Sequence, residues 1–190
     1  MRVFAVILAG GQGRRMGGAD KALLQLHGRP LITHVIGRLQ PQAARLMISA
    51  NGDAARFAFT GLDVLPDETA PGPLAGILAG LRAAQTGGAD ALVSNPVDAP
   101  FLPPDLVSRL LTAGPGPAFA RAGGRDHNAT AFWPVALADP LAEFLASGAK
   151  PKIADFAARH GAQPVDFPDA AAFDNLNTPE DLARAEARTA

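Results

Sequence analysis

The sequence predicts an α/β layer fold built on a mostly parallel sheet, and three observations predict it. Short apolar runs alternate along the chain with amphipathic stretches, the pattern of strand–helix–strand units. The first of these runs, Val3 to Leu8, is apolar throughout and reads as a buried strand. No linker-like segment divides the chain, and its 190 residues suit one domain, residues 1–190, with a full core.

The elements follow in order. After the Val3–Leu8 strand, Pro30 stands where a helix should begin, and Leu31, Val35, Ile36 and Leu39 form its apolar stripe. Residues 45–50 read as the second strand, ending at Asn51-Gly52-Asp53, and residues 62–65 as a short third one, ending at Pro66-Asp67. A helix is expected over residues 73–84, a strand over 91–94 that stops at Asn95-Pro96, and a helix over 104–112. Residues 118–122 and 130–133 read as strands separated by a polar turn over 123–128. Helices over 135–146 and 153–159 and a short strand over 164–167 complete the pattern. Thr178-Pro179-Glu180-Asp181 then starts a last helix: threonine caps it, proline fits its first position, and two acids face the positive end of its dipole.

Composition narrows the function. A formal net charge of −1 excludes broad attraction to nucleic acid or to an anionic membrane, so local cations must carry any anion binding. With no cysteine there is no disulfide, zinc–thiolate site or thiol nucleophile. No apolar stretch is long enough to span a bilayer, and the chain enters its first strand without a secretory segment, so a cytoplasmic protein is expected.

Open α/β sheets place their ligand at the carboxyl ends of the strands. The most telling segment lies at the first such end: Leu8-Ala9-Gly10-Gly11-Gln12-Gly13-Arg14-Arg15-Met16-Gly17, with Asp20-Lys21 behind it. Glycines let backbone N–H groups approach phosphate oxygens. Arg14, Arg15 and Lys21 can neutralise the charge that backbone dipoles only polarise. The segment is not a Walker loop, because Ala22 stands where a magnesium-binding Ser or Thr would follow Lys21. Nor is it a dinucleotide fingerprint, because Gly11, Gly13 and Gly17 are spaced one residue too widely.

Further candidates sit at other strand ends. Asp98, between Pro96 and Pro100, is a rigidly held carboxylate that either closes an Asx turn or takes one corner of a Mg²⁺–nucleotide complex. Asp67 is a turn residue or a partner for a base, a ribose or the metal. Gly72, Gly76 and Gly80 share a helix face, which packing explains best. Arg121, Arg125 and His127, or Lys150 and Lys152, could clamp a second anionic substrate or lie on a solvated surface. The four histidines show no metal-ligand pairing, and no Ser-His-Asp order or nucleophile elbow supports acyl hydrolysis.

Together the Leu8–Lys21 segment, Gly72-Pro73-Leu74-Ala75-Gly76, Asp98-Ala99-Pro100-Phe101 and Phe173-Asp174-Asn175-Leu176-Asn177-Thr178-Pro179-Glu180-Asp181 resemble the molybdenum cofactor guanylyltransferases. The likeness runs from the first strand to the last helix. The first motif is shared with sugar-nucleotide pyrophosphorylases, and Asn-x-Asn-Thr-Pro-Glu is the more discriminating one.

The resemblance implies a three-layer, Rossmann-like nucleotidyltransferase fold. It implies transfer of GMP from GTP to molybdenum–molybdopterin with release of pyrophosphate, and Mg²⁺ as cofactor. It carries over roles as well: Leu8, Ala9 and Gly10 hold guanine through the backbone, and Gly11 and Arg15 sit by the phosphates. Lys21 binds the nucleotide, Asp67 belongs to the GTP site, Asp98 holds Mg²⁺, and Asn175 and Asn177 face the pterin. Arg15, Lys21 and Asp98 are the expected catalytic groups. The likeness departs at Ser49, where some members carry asparagine. Proteins that deliver molybdopterin and molybdoenzymes that accept the product are the partners such a reaction implies. Two other readings stay open: a cytidylyl- or sugar-phosphate nucleotidyltransferase of the same fold, and a nucleotide-binding carrier without turnover.

Overall fold

A computed structural model describes residues 1–10, 20–66, 72–147 and 152–187. In chain order the main elements are β1 (Val3–Leu8), the ribbon strands β2 (Gln25–Leu26) and β3 (Arg29–Pro30), α1 (Leu31–Leu39), β4 (Arg45–Ser49), β5 (Asp63–Leu65), α2 (Pro73–Thr86) and β6 (Ala91–Pro96). They continue with α3 (Leu106–Leu110), β7 (Ala118–Ala122), β8 (Arg125–Pro134), α4 (Ala138–Ala146), α5 (Ile153–Arg159), β9 (Gln163–Phe167) and α6 (Pro179–Glu186).

The described residues form a seven-stranded sheet in the order β5-β4-β1-β6-β8-β7-β9. Parallel pairing joins β1 to β4 and β6, β4 to β5, and β7 to β9, while β8 runs antiparallel to both of its neighbours. The sheet is therefore mostly parallel, as expected, and its central strand shows why the first apolar run has no polar face. Val3, Ala5 and Ile7 pack with α1 and α3 on one side, and Phe4, Val6 and Leu8 pack with α2, α4 and α5 on the other. A strand covered on both faces gains from apolar residues at every position. Among the described residues no helix is long and apolar enough to cross a membrane.

Three departures from the sequence reading have physical causes. The polar turn expected over residues 123–128 shrinks to Gly123-Gly124, both at positive φ (55° and 73°), the geometry of a two-residue hairpin. β8 accordingly begins at Arg125, and the polar residues 125–128 form the more exposed first end of a strand that lies between β6 and β7. The β2–β3 ribbon was not expected, because its turn uses His27 (φ 50°) before Gly28 (φ 69°) where Asn or Asp is the usual signal. The helix expected over 104–112 is α over only Leu106–Leu110 and tightens to a 3-10 turn over Leu111–Ala113.

A satellite cluster matters for the site. Leu26, Leu31, Leu176 and Ala185 are buried together, with Leu182 of α6 against them. This small core seats the segment before α6 on the ribbon that follows Lys21.

Candidate functional site

Because β8 is antiparallel, its first residues lie at the same edge as the carboxyl ends of β1, β4, β6 and β7. That edge carries the candidate site. Lys21 opens the 3-10 turn Lys21–Leu23, whose N-cap is Asp20: one oxygen of Asp20 accepts from Ala22 N (3.0 Å) and the other from Arg56 Nε (2.7 Å). Lys21 is thereby held at a fixed height above the sheet. Its ammonium donates to Asp98 Oδ2 (2.7 Å) and to Asn177 Oδ1 (2.5 Å). The two charged side chains keep only 19% and 17% of their exposure, so solvent screens this pair less than a surface ion pair.

Asp98 is fixed from several sides. The β6 strand ends at Pro96; Val97 N then donates to Leu8 O (3.1 Å) and Ala99 N to Pro96 O (3.2 Å), which bends the chain and lifts Asp98 out of the sheet. The Asp98 carbonyl accepts from Leu176 N (2.8 Å), tying this turn to the Asn175–Asn177 segment. That segment is gripped from the other end by the α6 capping box. Thr178 Oγ1 accepts from Asp181 N (3.1 Å), and Asp181 Oδ2 accepts from the amides of both Thr178 and Asn177 (2.9 Å each). The Asn177 amide, with that of Thr178, holds the Asp181 carboxyl below the usual carboxylate range.

Among the described residues one buried side-chain polar atom has no hydrogen-bond partner: Asp98 Oδ1. A buried, unpartnered carboxylate oxygen is costly and calls for a ligand. The donor set suits Mg²⁺, which takes one or two protein carboxylates and fills its remaining positions with phosphates and water. The described residues contain no group of three or more His, Asp or Glu that would build a cage of protein ligands alone.

Beside this pair lies a cavity of about 690 Å³. Arg125, His127 and Asn128 of β8 line one wall, and Phe173, Asp174, Asn175, Asn177 and Arg184 another. The His127 ring lies against Phe173 (centroids 5.1 Å apart). Burial, followed by the neighbouring Arg125 charge, holds the His127 imidazole below its ordinary value and favours the neutral ring.

The other expected site residues fall as follows. Leu8 and Ala9 are buried, with Leu8 O taken by Val97 N and Ala9 N donating to Ser49 O (2.8 Å), while Gly10 is exposed. Asn175 and Asn177 both line the cavity, Asn175 exposed and Asn177 half-buried. Arg125 and His127 reach it, whereas Arg121 turns to Asp126 (Nε to Oδ1, 2.6 Å), its pairing partner across the hairpin. That hydrogen bond raises the Arg121 pKa and lowers that of Asp126. Lys152 opens α5 and is not part of the cavity wall. Ser49 is completely buried beneath α2: a methyl group added at Gly76 would lie 2.4 Å from its Oγ. Gly11, Arg14, Arg15, Asp67 and Lys150 lie outside the described residues. The sequence reading missed Asn95 and Thr130, completely buried or nearly so behind Asp98 and joined at 2.7 Å. Their contact spans 35 positions and leaves no local signal.

Residues 5–163 match the model of the MobA-like NTP transferase domain. The chain is 62% identical over 187 residues to a molybdenum cofactor guanylyltransferase of Cereibacter sphaeroides, covering 98% of this chain and 96% of that one. It is 50% identical over 186 residues to a protein of the same name from Acidiphilium cryptum, covering 96% and 93%. Its fold superposes with a TM-score of 0.77 on the crystal structure of molybdopterin-guanine dinucleotide biosynthesis protein A from Archaeoglobus fulgidus, at 25% identity and 96% coverage of each chain. A lysine–carboxylate pair beside a strand-end cavity is thus joined to full-length likeness, and the chain belongs to the MobA-like NTP transferase family.

Proposed function

We propose that this protein is a molybdenum cofactor guanylyltransferase, which transfers GMP from GTP to molybdenum–molybdopterin and releases pyrophosphate. The observation that carries the reading is the contact of Lys21 with both Asp98 and Asn177 at the carboxyl edge of the sheet, beside a cavity roomy enough for a second substrate.

The reaction is an in-line displacement. An oxygen of the molybdopterin phosphate forms a bond to the α-phosphorus of GTP, the bond from that phosphorus to the bridging oxygen breaks, and pyrophosphate leaves with the electron pair. The attacking phosphate is already anionic, so no strong base is needed; the difficulty is bringing two anions together. Asp98, whose Oδ1 is buried without a partner, is the residue that would hold Mg²⁺, and the ion would supply charge stabilisation to the phosphates. Lys21 adds positive charge at the same point and binds the nucleotide. Its bond to Asn177 links the nucleotide side to the acceptor side. Asn175 and Asn177 offer uncharged amides to the pterin, and Arg125 offers a cation to its phosphate. Leu8, Ala9 and Gly10 take the guanine end, Gly11 and Arg15 sit by the phosphates, with Arg15 facing the departing pyrophosphate, and Asp67 completes the GTP site.

Pyrophosphate release measured with GTP, ATP and CTP, each with and without molybdopterin, tests the assignment. Release with GTP alone among the three, and only when molybdopterin is present, is the expected result. Preference for CTP would make the protein a cytidylyltransferase, and tight GTP binding without release would make it a carrier.

A further inference from the structure

Behind Asp98 lies a polar network that takes no direct part in the transfer. The Asn95 side chain is completely buried. Its Nδ2 donates to Pro96 O (2.7 Å) and to Ala99 O (3.2 Å), the two carbonyls that bracket the Asp98 turn. Those carbonyls require a donor, which fixes the amide's orientation and turns Oδ1 the other way. Thr130 Oγ1 donates to that oxygen at 2.7 Å.

Thr130 reaches this position because β8 is irregular. Its pairing with β7 jumps from Phe119↔Ala131 to Ala120↔His127, and its pairing with β6 ends at Ser94↔Ala131. The residues left over, Asn128, Ala129 and Thr130, line the cavity. A bulge of this kind re-aims side chains, and here it sends the Thr130 hydroxyl inward to a depth where only 2% of the residue is exposed. Ser94 secures the same bulge by donating to Ala129 O (2.8 Å) while accepting from Trp133 Nε1 (2.9 Å).

Resting on the functional reading above, we propose that Asn95 is a positioning residue of the transfer reaction: with Thr130 it locks the Asp98 turn to the wall of the acceptor cavity. A buried network satisfied at nearly every atom is rigid. An apolar residue at position 95 would fill the space but leave the Pro96 and Ala99 carbonyls without this donor, and the Asp98 carboxylate would lose its fixed aim. Groups that orient a metal ligand without touching the metal govern its affinity.

The decisive variant is Thr130→Val, which removes a hydroxyl and keeps the shape; Thr130→Ser restores the hydroxyl, and Asn95→Ala removes the amide. Two measurements apply: amide hydrogen exchange at Ala99 and Leu176 in the free protein, and the Mg²⁺ concentration giving half-maximal GMP transfer. Thr130→Val is expected to speed exchange at both amides and to raise the half-saturating Mg²⁺ concentration about tenfold or more, with Thr130→Ser close to the unsubstituted protein. A Thr130→Val protein that unfolds at a lower temperature yet keeps the original Mg²⁺ dependence would overturn the proposal, because the network would then serve the fold alone. If Asn95→Ala does not fold, Thr130→Val decides. Absence of transfer by the unsubstituted protein would tell against the functional reading, and the exchange rates of Thr130→Val would still judge the lock.

Discussion

Asp98 has one carboxylate oxygen engaged by Lys21 and the other buried without a partner. On the proposed function, this asymmetry leaves a carboxylate whose charge is half-answered from within to take a cation brought by a nucleotide. His127 presents the opposite case, a group kept neutral by burial and by Arg125, with Asp126 and Asp174 pulling more weakly toward the charged form. Since its folded pKa lies below the ordinary value of 6.5, the unfolded chain binds more protons in the window below that value. The stability His127 contributes is fully present above pH 6.5 and is lost as pH falls through its lowered folded value. Thermal unfolding followed across this range should show the midpoint falling with acidity, and His127→Gln should flatten the dependence. An unchanged pH profile in that variant would contradict the assignment.

At the scale of elements, the site depends on how closely α2 approaches the strands. Gly76 and Gly80 face the sheet: an added methyl group would meet Ser49 Oγ at 2.4 Å and Leu8 Cδ2 at 2.9 Å from the first, and Leu92 Cδ2 at 2.8 Å from the second. Gly76→Ala should therefore push α2 away from the ends of β1 and β4 and cost about 1–3 kcal/mol, as overpacking does. Denaturant titration measures this as a lower midpoint, and an unaltered midpoint would show that the helix can shift freely.

The sequence reading placed Gly72, Gly76 and Gly80 on one packed helix face, because a four-residue spacing on a helix is a local signal; Gly76 and Gly80 do pack on the sheet, but Gly72 is the exposed N-cap at φ 113°, with nothing within 4 Å of an added Cβ. It also found the α6 start, whose capping box is written in four consecutive residues. That Asp181 would also reach back to the Asn177 amide was not legible there, and neither was the Asn95–Thr130 contact. The extent of β8 was misjudged for a related reason. Polar residues at a strand end resemble a turn until the neighbouring strand shows that their backbone groups are paired.

Across the whole molecule, the rule that open α/β sheets bind ligands at the carboxyl ends of their strands carried most of the inference. It places Lys21, Asp98, Asn175 and Asn177, spread over most of the chain length, in one region. The structure brings Lys21 within 2.7 Å of Asp98 and 2.5 Å of Asn177. The small core of Leu26, Leu31, Leu176 and Ala185 supplies the mechanical reason, since it docks the chain's last segment against the turn that carries Lys21.

The central claim is that Asp98, answered on one side by Lys21, holds the cation that aligns GTP for transfer. The rate of GMP transfer by Asp98→Asn, measured beside its unfolding midpoint, tests this most directly. The account predicts a rate lower by about 10²–10⁴-fold at an essentially unchanged midpoint. A folded Asp98→Asn protein that transfers GMP at close to the original rate would contradict it.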